Sequence, residues 1–151
     1  LVHLSQHPRA RDVMTRVLWA NNNNFIHYGG AGIDMFQVLG YSAELDDSLT
    51  GQSNLGFCFD NLASKASVDA LMEQLPHIIY ANQEGISFGE VFAATCNTSP
   101  ADSAKYKEAL SLLVQEKDID IISPDGSRRL KASTITDKDQ LIPSKQTSFD
   151  F

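Results

Sequence analysis

The chain has few of the residues that build disulfide frameworks or metal sites. Its 151 residues include two cysteines, and the 38 positions that separate Cys58 from Cys96 do not match a paired metal-binding motif. The four histidines are His3, His7, His27 and His77. They show no ligand-like spacing with one another or with the cysteines. We therefore expect reduced thiols, a cytoplasmic location and no metal ion.

Motifs of catalysis and cofactor binding are also missing. The stretch 29–32, Gly-Gly-Ala-Gly, lacks the third glycine and the apolar preceding strand of a dinucleotide-binding fingerprint, so a tight turn explains it better. No serine lies in a nucleophile elbow, and neither cysteine lies in a catalytic signature. Asp46 and Asp47 form an isolated acidic pair. We expect no catalytic residue and no cofactor in this segment, and leave open an enzymatic domain elsewhere in the protein.

Long apolar runs and an excess of basic residues are absent. No segment approaches the roughly 20 apolar residues that span a bilayer, and no signal peptide is recognisable. The formal charge is −7, from 12 basic and 19 acidic residues. The apolar content of 42% is enough for one moderate or two small cores. These features predict a soluble globular protein.

Two helices joined by a sharp turn are predicted between residues 86 and 117. Each carries an apolar stripe at three- and four-residue spacing. The stripes consist of Phe88, Val91, Phe92 and Thr95, and of Tyr106, Ala109, Leu110 and Leu113. Ser99 is the predicted N-cap of the second helix, because Pro100 suits the first helical position and Asp102 could complete a capping box. The short turn at 96–99 is typical of a helix-turn-helix.

A basic-tipped β-hairpin is predicted after the second helix. Residues 119–122 have strand composition, residues 124–127 favour a turn, and residues 128–132 are predicted to return as the second strand. This hairpin would be the wing of a winged helix-turn-helix. The candidate nucleic-acid contacts are Lys105, Lys107, Arg128, Arg129 and Lys131.

Charge leaves two interpretations of this region open. Residues 86–151 hold ten acidic and eight basic side chains, so they offer little charge to neutralise phosphates. The arginines at the hairpin could simply be solvated, and winged helices also serve as protein-interaction domains. We therefore keep nucleic-acid binding and protein binding as alternatives.

The remainder of the chain is harder to interpret. Residues 8–20 are predicted to form a helix whose apolar stripe packs on a partner. That stripe is Ala10, Val13, Met14, Val17 and Leu18. Residues 21–66 are expected to be irregular, with one helix near 33–39. Ser67 is the predicted cap of a further helix, which Pro76 would kink or restart.

The predicted fold class is α+β and mainly α. Residues 67–151 would form a winged-helix domain with a C-terminal tail. Residues 1–66 would be the end of a larger α/β domain followed by a connecting region. The predicted core is Leu71, Leu75, Phe88, Val91, Phe92, Tyr106, Leu110, Leu113, Ile119 and Ile121.

Two segments resemble the C-terminal part of the three-Cys-motif partner protein family. They are the opening LVHLSQHPRARDVMTRVLW and the later KYKEALSLLVQEKDIDII with its basic hairpin. The matching positions near the start are Ser5, His7, Asp12, Val13 and Met14. The resemblance implies an upstream methyltransferase-like α/β domain whose last strand and helix lie in residues 1–20. It also implies a partner protein with three cysteines and an association with phage or mobile elements.

Two functions follow from these observations. The segment would be a non-catalytic module that binds nucleic acid and targets the upstream methyltransferase-like domain. The alternative is a module that docks the three-cysteine partner. Neither the oligomeric state nor the target follows from the sequence.

The last residues suggest a further contact. Gln146, Phe149 and Phe151 have the spacing of peptides that bind bacterial sliding clamps. The interpretation that we favour is that both phenylalanines fold back onto the domain itself, because apolar residues at a chain end are often held by docking.

Overall fold

The computed structural model describes residues 7–21, 26–27, 30–33 and 57–144. Its helices are α1 Pro8–Ala20, α2 Asn61–Ala81, α3 Phe88–Thr95, α4 Ser103–Gln115 and a short 3₁₀ helix at Ala132–Thr134. Its strands are β1 Ile26–His27, β2 Phe57–Cys58, β3 Ile86–Ser87, β4 Ile119–Ile122 and β5 Gln140–Pro143. None of the described helices is long and apolar enough to cross a membrane. The helix predicted near 33–39 lies outside the described residues, apart from Ile33.

The three-stranded sheet has the order β3-β5-β4, with both neighbours antiparallel to β5. Leu141 of β5 lies opposite Ile86 on one side and Ile121 on the other. Helices α2, α3 and α4 together with this sheet form the winged helix that the sequence predicts.

The predicted return strand at 128–132 is wrong. Arg128 makes only an isolated bridge to Ile122, and the strand that pairs with β4 along its length is β5. Residues 128–132 offer β4 one large apolar side chain, Leu130, which is mostly exposed. Residues 140–143 supply Leu141, which is fully buried against the core. The wing is therefore the longer segment 123–139.

Helix α2 begins earlier than predicted. Asp60 caps it, because its carboxylate accepts a hydrogen bond from the backbone N–H of Ala63. The predicted cap Ser67 is wrong, since this residue lies buried inside the helix. The helix also continues through Pro76 to Ala81 without a restart. An aspartate can act as an N-cap as well as a serine, and here the earlier of the two positions is used.

Helices α3 and α4 have well-defined starts. Ser87 and Glu90 form a reciprocal capping box on α3. Helix α4 is capped by Asp102, whose carboxylate accepts from the backbone N–H of Lys105. The predicted cap Ser99 is wrong, because its hydroxyl instead accepts from the N–H of Ala101 within the turn.

The predicted core is confirmed. All of its members are buried, and they belong to one cluster between the three helices and the sheet. Tyr106 packs edge-on against Phe92 with ring centroids 5.3 Å apart. Its hydroxyl donates to Oγ1 of Thr95 at 2.9 Å. The helix-turn-helix is thus fixed by aromatic packing and by a satisfied buried hydroxyl.

Helix α1 has the predicted bounds, but its buried face matches the predicted apolar stripe only in part. Leu18 of that stripe is buried, whereas Val13 and Val17 are 55% and 44% exposed. The other buried residues of the helix are Asp12 and Thr15. The buried face is chosen by polar groups on the turn before α4 and on its first residues, which offer hydrogen-bond partners to α1. Apolar periodicity cannot detect such partners.

Candidate nucleic-acid interface

The tip of the wing is a tight turn stabilised by its own polar groups. The N–H of Ser123 donates to the carbonyl of Ser127 at 2.9 Å, and Gly126 adopts a positive φ of 85°. The carboxylate of Asp125 accepts from the Ser123 hydroxyl and from the Ser127 N–H. These hydrogen bonds hold the pKa of Asp125 well below its usual range. The tip is therefore a defined structure.

Arg129 is engaged inside the wing. Its Nε lies 3.4 Å from Oδ2 of Asp139, a carboxylate whose side chain is fully buried. The same Oδ2 accepts from the N–H of Thr136, and the Asp139 carbonyl accepts from the N–H of Phe88 at the start of α3. This ion pair joins the two arms of the wing, and the Asp139 carbonyl joins the wing to α3.

Arg128, Lys131 and Lys138 are the exposed cations of the wing. The Arg128 guanidinium reaches Asp120 at 3.3 Å and remains largely exposed, and Lys131 is exposed. Arg128 and Lys117 line a groove of about 530 Å³ between the end of α4 and the wing. Four half-buried or exposed apolar residues also line it, namely Val114, Ile122, Leu130 and Ile142.

The two lysines predicted on α4 differ in accessibility. Lys105 is only 8% exposed. Its ammonium lies 3.7 Å above the Trp19 ring and 3.4 Å from Asp102. Burial lowers the pKa of Lys105, and the neighbouring Asp102 acts in the opposite direction. Lys107 is half-buried and faces a different cavity from Arg128. The structure thus does not gather the five predicted cations into one patch.

Helix α1 is bound to the first residue of α4 through Asp12. Its carboxylate accepts from the backbone N–H of Ser103 at 2.7 Å and from the Ser103 hydroxyl at 2.8 Å. Arg16 lies 2.8 Å from the same carboxylate and donates to the Ser103 hydroxyl at 2.7 Å. A carboxylate is favoured at this position because the N-terminal end of a helix carries partial positive charge.

The rest of α1 holds the turn between α3 and α4. Nε of Arg11 donates to the carbonyl of Cys96 at 3.2 Å, and the Trp19 indole N–H donates to the carbonyl of Pro100 at 2.9 Å. Trp19 also packs edge-on against Phe59. Burial raises the pKa of the Cys96 thiol and lowers that of the Arg11 guanidinium. These bonds keep Pro100 in the turn, which explains why α4 starts later than predicted.

The contact between α1 and α4 does not follow from the apolar periodicity of the sequence. The available signal was the sequence Asp12, Thr15, Trp19 at three- and four-residue spacing, which places two polar residues and the only tryptophan on one helix face. A polar face of this kind is ordinarily read as solvent-exposed, so it gives no indication of its partner.

A cleft of about 410 Å³ lies between α1, α3, α4 and the wing. Its charged and titratable lining residues are His7, Arg9, Asp12, Arg16, Lys107 and Asp137. Arg9 is exposed and the Arg16 side chain is 56% exposed, so both cations are accessible. Within the described part of the chain, no group of three or more His, Cys, Asp or Glu side chains is arranged to hold a metal ion.

The predicted partner-binding residues Gln146, Phe149 and Phe151 lie outside the described residues. Their roles stay predictions. The same holds for Ser5, which is outside the described residues, while His7, Asp12, Val13 and Met14 lie on or next to α1.

Comparison with known proteins gives one finding. The family model described as GMT-like wHTH domain matches residues 40–126, which is more than half of the chain. Neither the curated proteins nor the solved structures contain a significant match. The matched stretch includes α2, α3, α4 and β4, whereas α1 and β5 lie outside it.

Proposed function

Because the chain belongs to the GMT-like wHTH domain family, we propose that it is a winged-helix module that binds nucleic acid through the phosphate backbone. The observation that carries the proposal is the winged-helix fold with three exposed cations, Arg128, Lys131 and Lys138, on its wing. Phosphate contacts position a protein on nucleic acid without reading bases. The affinity of the domain for nucleic acid should therefore decrease strongly as the salt concentration rises.

The outward face of α4 favours phosphate contact over base readout. Its exposed residues near the start are Ala104 and Glu108, and the nearby Lys107 is half-buried. A glutamate there is repelled by phosphates and, as an acceptor, could pair only with the amino group of a base, usually that of cytosine. We infer that α4 does not enter the major groove deeply.

In the whole protein, we propose that the module delivers an upstream methyltransferase-like domain to nucleic acid. This finer proposal is supported by the resemblance of residues 1–20 and of the α4-to-hairpin segment to the three-Cys-motif partner family. Its test is the sequence preceding Leu1, which should contain a cofactor-binding α/β domain.

A second candidate function is docking of a protein, such as the three-cysteine partner. The observation that favours it is the groove beside the wing, where Leu130 is 63% exposed and lies next to Val114, Ile122 and Ile142. Apolar grooves with a charged rim are typical of protein-binding surfaces. In this case Leu130→Ala would abolish partner binding without affecting DNA.

The test of the proposed function is a salt-dependent titration with duplex and single-stranded DNA. The variant Arg128→Ala with Lys131→Ala should weaken binding to all sequences alike. It should also reduce the magnitude of the negative slope of log K (association) against log salt by about 2. Arg129 is retained because its removal would leave Asp139 buried without its ion pair. Lys65→Ala, which removes one exposed cation from α2, is the control.

Two results would contradict this function. If the double variant binds DNA as tightly as the parent at low salt, Arg128 and Lys131 do not contact the DNA and the observation behind the proposal fails. If the parent binds neither form of DNA but binds a protein through Leu130, the docking function replaces it.

A further inference from the structure

We propose that the cleft between α1 and α4 is a second site for the phosphate backbone of duplex DNA. The inference rests on the proposed function and adds a contact surface outside the stretch that matches the family model. Three cationic side chains converge on the cleft from two helices. They are Arg9 and Arg16 of α1 and Lys107 of α4.

The charge of the cleft opposes that of the chain as a whole. Its lining carries three cations against two carboxylates, Asp12 and Asp137, while the chain carries −7. Asp12 is already neutralised, because Arg16 lies 2.8 Å away and Ser103 donates two hydrogen bonds to the carboxylate. The accessible charge is thus that of Arg9 and Lys107, opposed by Asp137.

The cleft also collects the positive ends of three helices. Pro8, Gly89 and Ser103 line it, and each lies in the first turn of α1, α3 or α4. The N–H of Gly89 donates to the Asp137 carbonyl and the N–H of Ser103 to Asp12. These two amides are occupied, so the helix ends contribute electrostatic potential. Hydrogen bonds to a phosphate would come from the Arg9 and Lys107 side chains.

The attachment of α1 preorganises the cationic side chains of the cleft. Helix α1 is attached to the α3–α4 turn and to α4 by Arg11, Asp12 and Trp19. Its cations are therefore positioned before any ligand arrives, and binding loses less conformational entropy. The wing contributes Asp137 to the same cleft, so the cleft and the wing adjoin each other. In this proposal a duplex backbone that contacts the wing continues along α1.

Three of the five cations predicted from sequence already have a partner within the chain. Arg129 is held by the buried Asp139, and Arg128 shares its charge with Asp120. Lys105 is buried beneath α1. Of the five cations predicted from sequence, Lys107 is the one that faces the cleft, and the α1 arginines take the place of the cations that are engaged elsewhere.

The experiment compares duplex DNA binding of the parent with Arg9→Ala/Lys107→Ala, with the wing variant Arg128→Ala/Lys131→Ala, and with Lys65→Ala. Arg16 is left in place because it supports Asp12 and Ser103. At low salt the cleft variant, Arg9→Ala/Lys107→Ala, should lose about tenfold or more in affinity. The magnitude of its slope of log K against log salt should decrease by about 2. Arg9→Lys should restore most of the loss in the Arg9→Ala single variant, because it restores the charge.

Thermal unfolding of each variant shows whether it is folded. The Lys107 ammonium lies 5.3 Å from the centroid of the Phe88 ring, so Lys107→Ala could also disturb the core. The single variant Arg9→Ala changes only an exposed side chain and tests the site without that effect. Binding by the cleft variants equal to that of Lys65→Ala, together with loss in the wing variant, would overturn the second site and leave the proposed function standing. Absence of duplex binding by the parent would overturn both.

Discussion

Helix α1 and the winged core are stabilised by different forces. The core buries apolar side chains of α2, α3, α4 and the sheet in one cluster. By contrast, α1 is held largely by directional contacts, namely Asp12 on Ser103, Arg11 on the Cys96 carbonyl and Trp19 on the Pro100 carbonyl. Apolar burial scales with area, whereas hydrogen bonds depend on each partner. The core should therefore unfold as a unit, and α1 should be separable from it.

The largest effect should come from the centre of the core. Leu110 is fully buried, so Leu110→Ala should lower the free energy of unfolding by about 2–5 kcal/mol. Urea denaturation followed by circular dichroism measures the loss. Leu130→Ala removes the same atoms from a mostly exposed position and should change stability by less than about 0.5 kcal/mol. Equal losses in the two variants would contradict the assignment of the core.

A smaller loss is expected at the ion pair inside the wing. Arg129→Ala would leave the fully buried Asp139 carboxylate without its cation. Unpaired buried charges cost about 3–5 kcal/mol, and because Arg129 is 28% exposed we expect about 1–3 kcal/mol. Adding Asp139→Asn should recover part of this loss. Arg128→Ala, whose cation is on the surface, should have little effect, and a failure of the rescue would argue against the pair.

Asp12→Ala should separate α1 from the core. It removes two hydrogen bonds to Ser103, which should weaken α1 attachment by about 1–3 kcal/mol. Trp19 is the single tryptophan, so its fluorescence reports the docking of α1 against Pro100, Phe59 and Lys105. In the variant, its emission should shift at a lower urea concentration than the circular dichroism signal. Arg9→Ala is the control, and coincident transitions in Asp12→Ala would show that α1 and the core are one cooperative unit.

The smallest expected effect is a decrease of the folding stability at acidic pH. Hydrogen bonds from Ser123 and Ser127 lower the pKa of Asp125, and those from Ser87 lower that of Glu90. A carboxyl group with a lowered folded-state pKa stabilises above its unfolded value of about 4 and loses that contribution as pH falls through the folded value. Stability should therefore decrease below about pH 4. Asp125→Asn should flatten this decrease in urea titrations at stepped pH, and an unchanged profile would contradict the turn geometry.

The same contrast explains what the sequence could predict. The core residues and the bounds of α1 and β4 follow from apolar spacing and strand composition, and the structure agrees with them. The partner of β4 could not be found this way, because Gln140–Pro143 is a short strand separated from it by the wing. Local turn chemistry favoured the nearer residues 128–132.

The site was harder to predict than the fold. Composition identified the cations of α4 and the wing, yet it could not show that Lys105 lies under Trp19 or that Arg129 pairs with Asp139. Both partners come from distant parts of the chain or from the far arm of a loop. The accessible charge of the α1 cleft depends on how α1 docks, and that docking uses polar contacts that have no periodic signature.

The central position of β5 has a consequence for synthesis of the protein. Among the described strands β5 is the last in chain order, yet β3 and β4 both pair with it and not with each other. On the ribosome, Ile119 and Ile121 must therefore wait for Leu141 before their sheet can close. At roughly 5–20 residues per second this wait lasts about one to four seconds. During that interval the nascent chain exposes two unpaired strands, which makes it a candidate for chaperone binding.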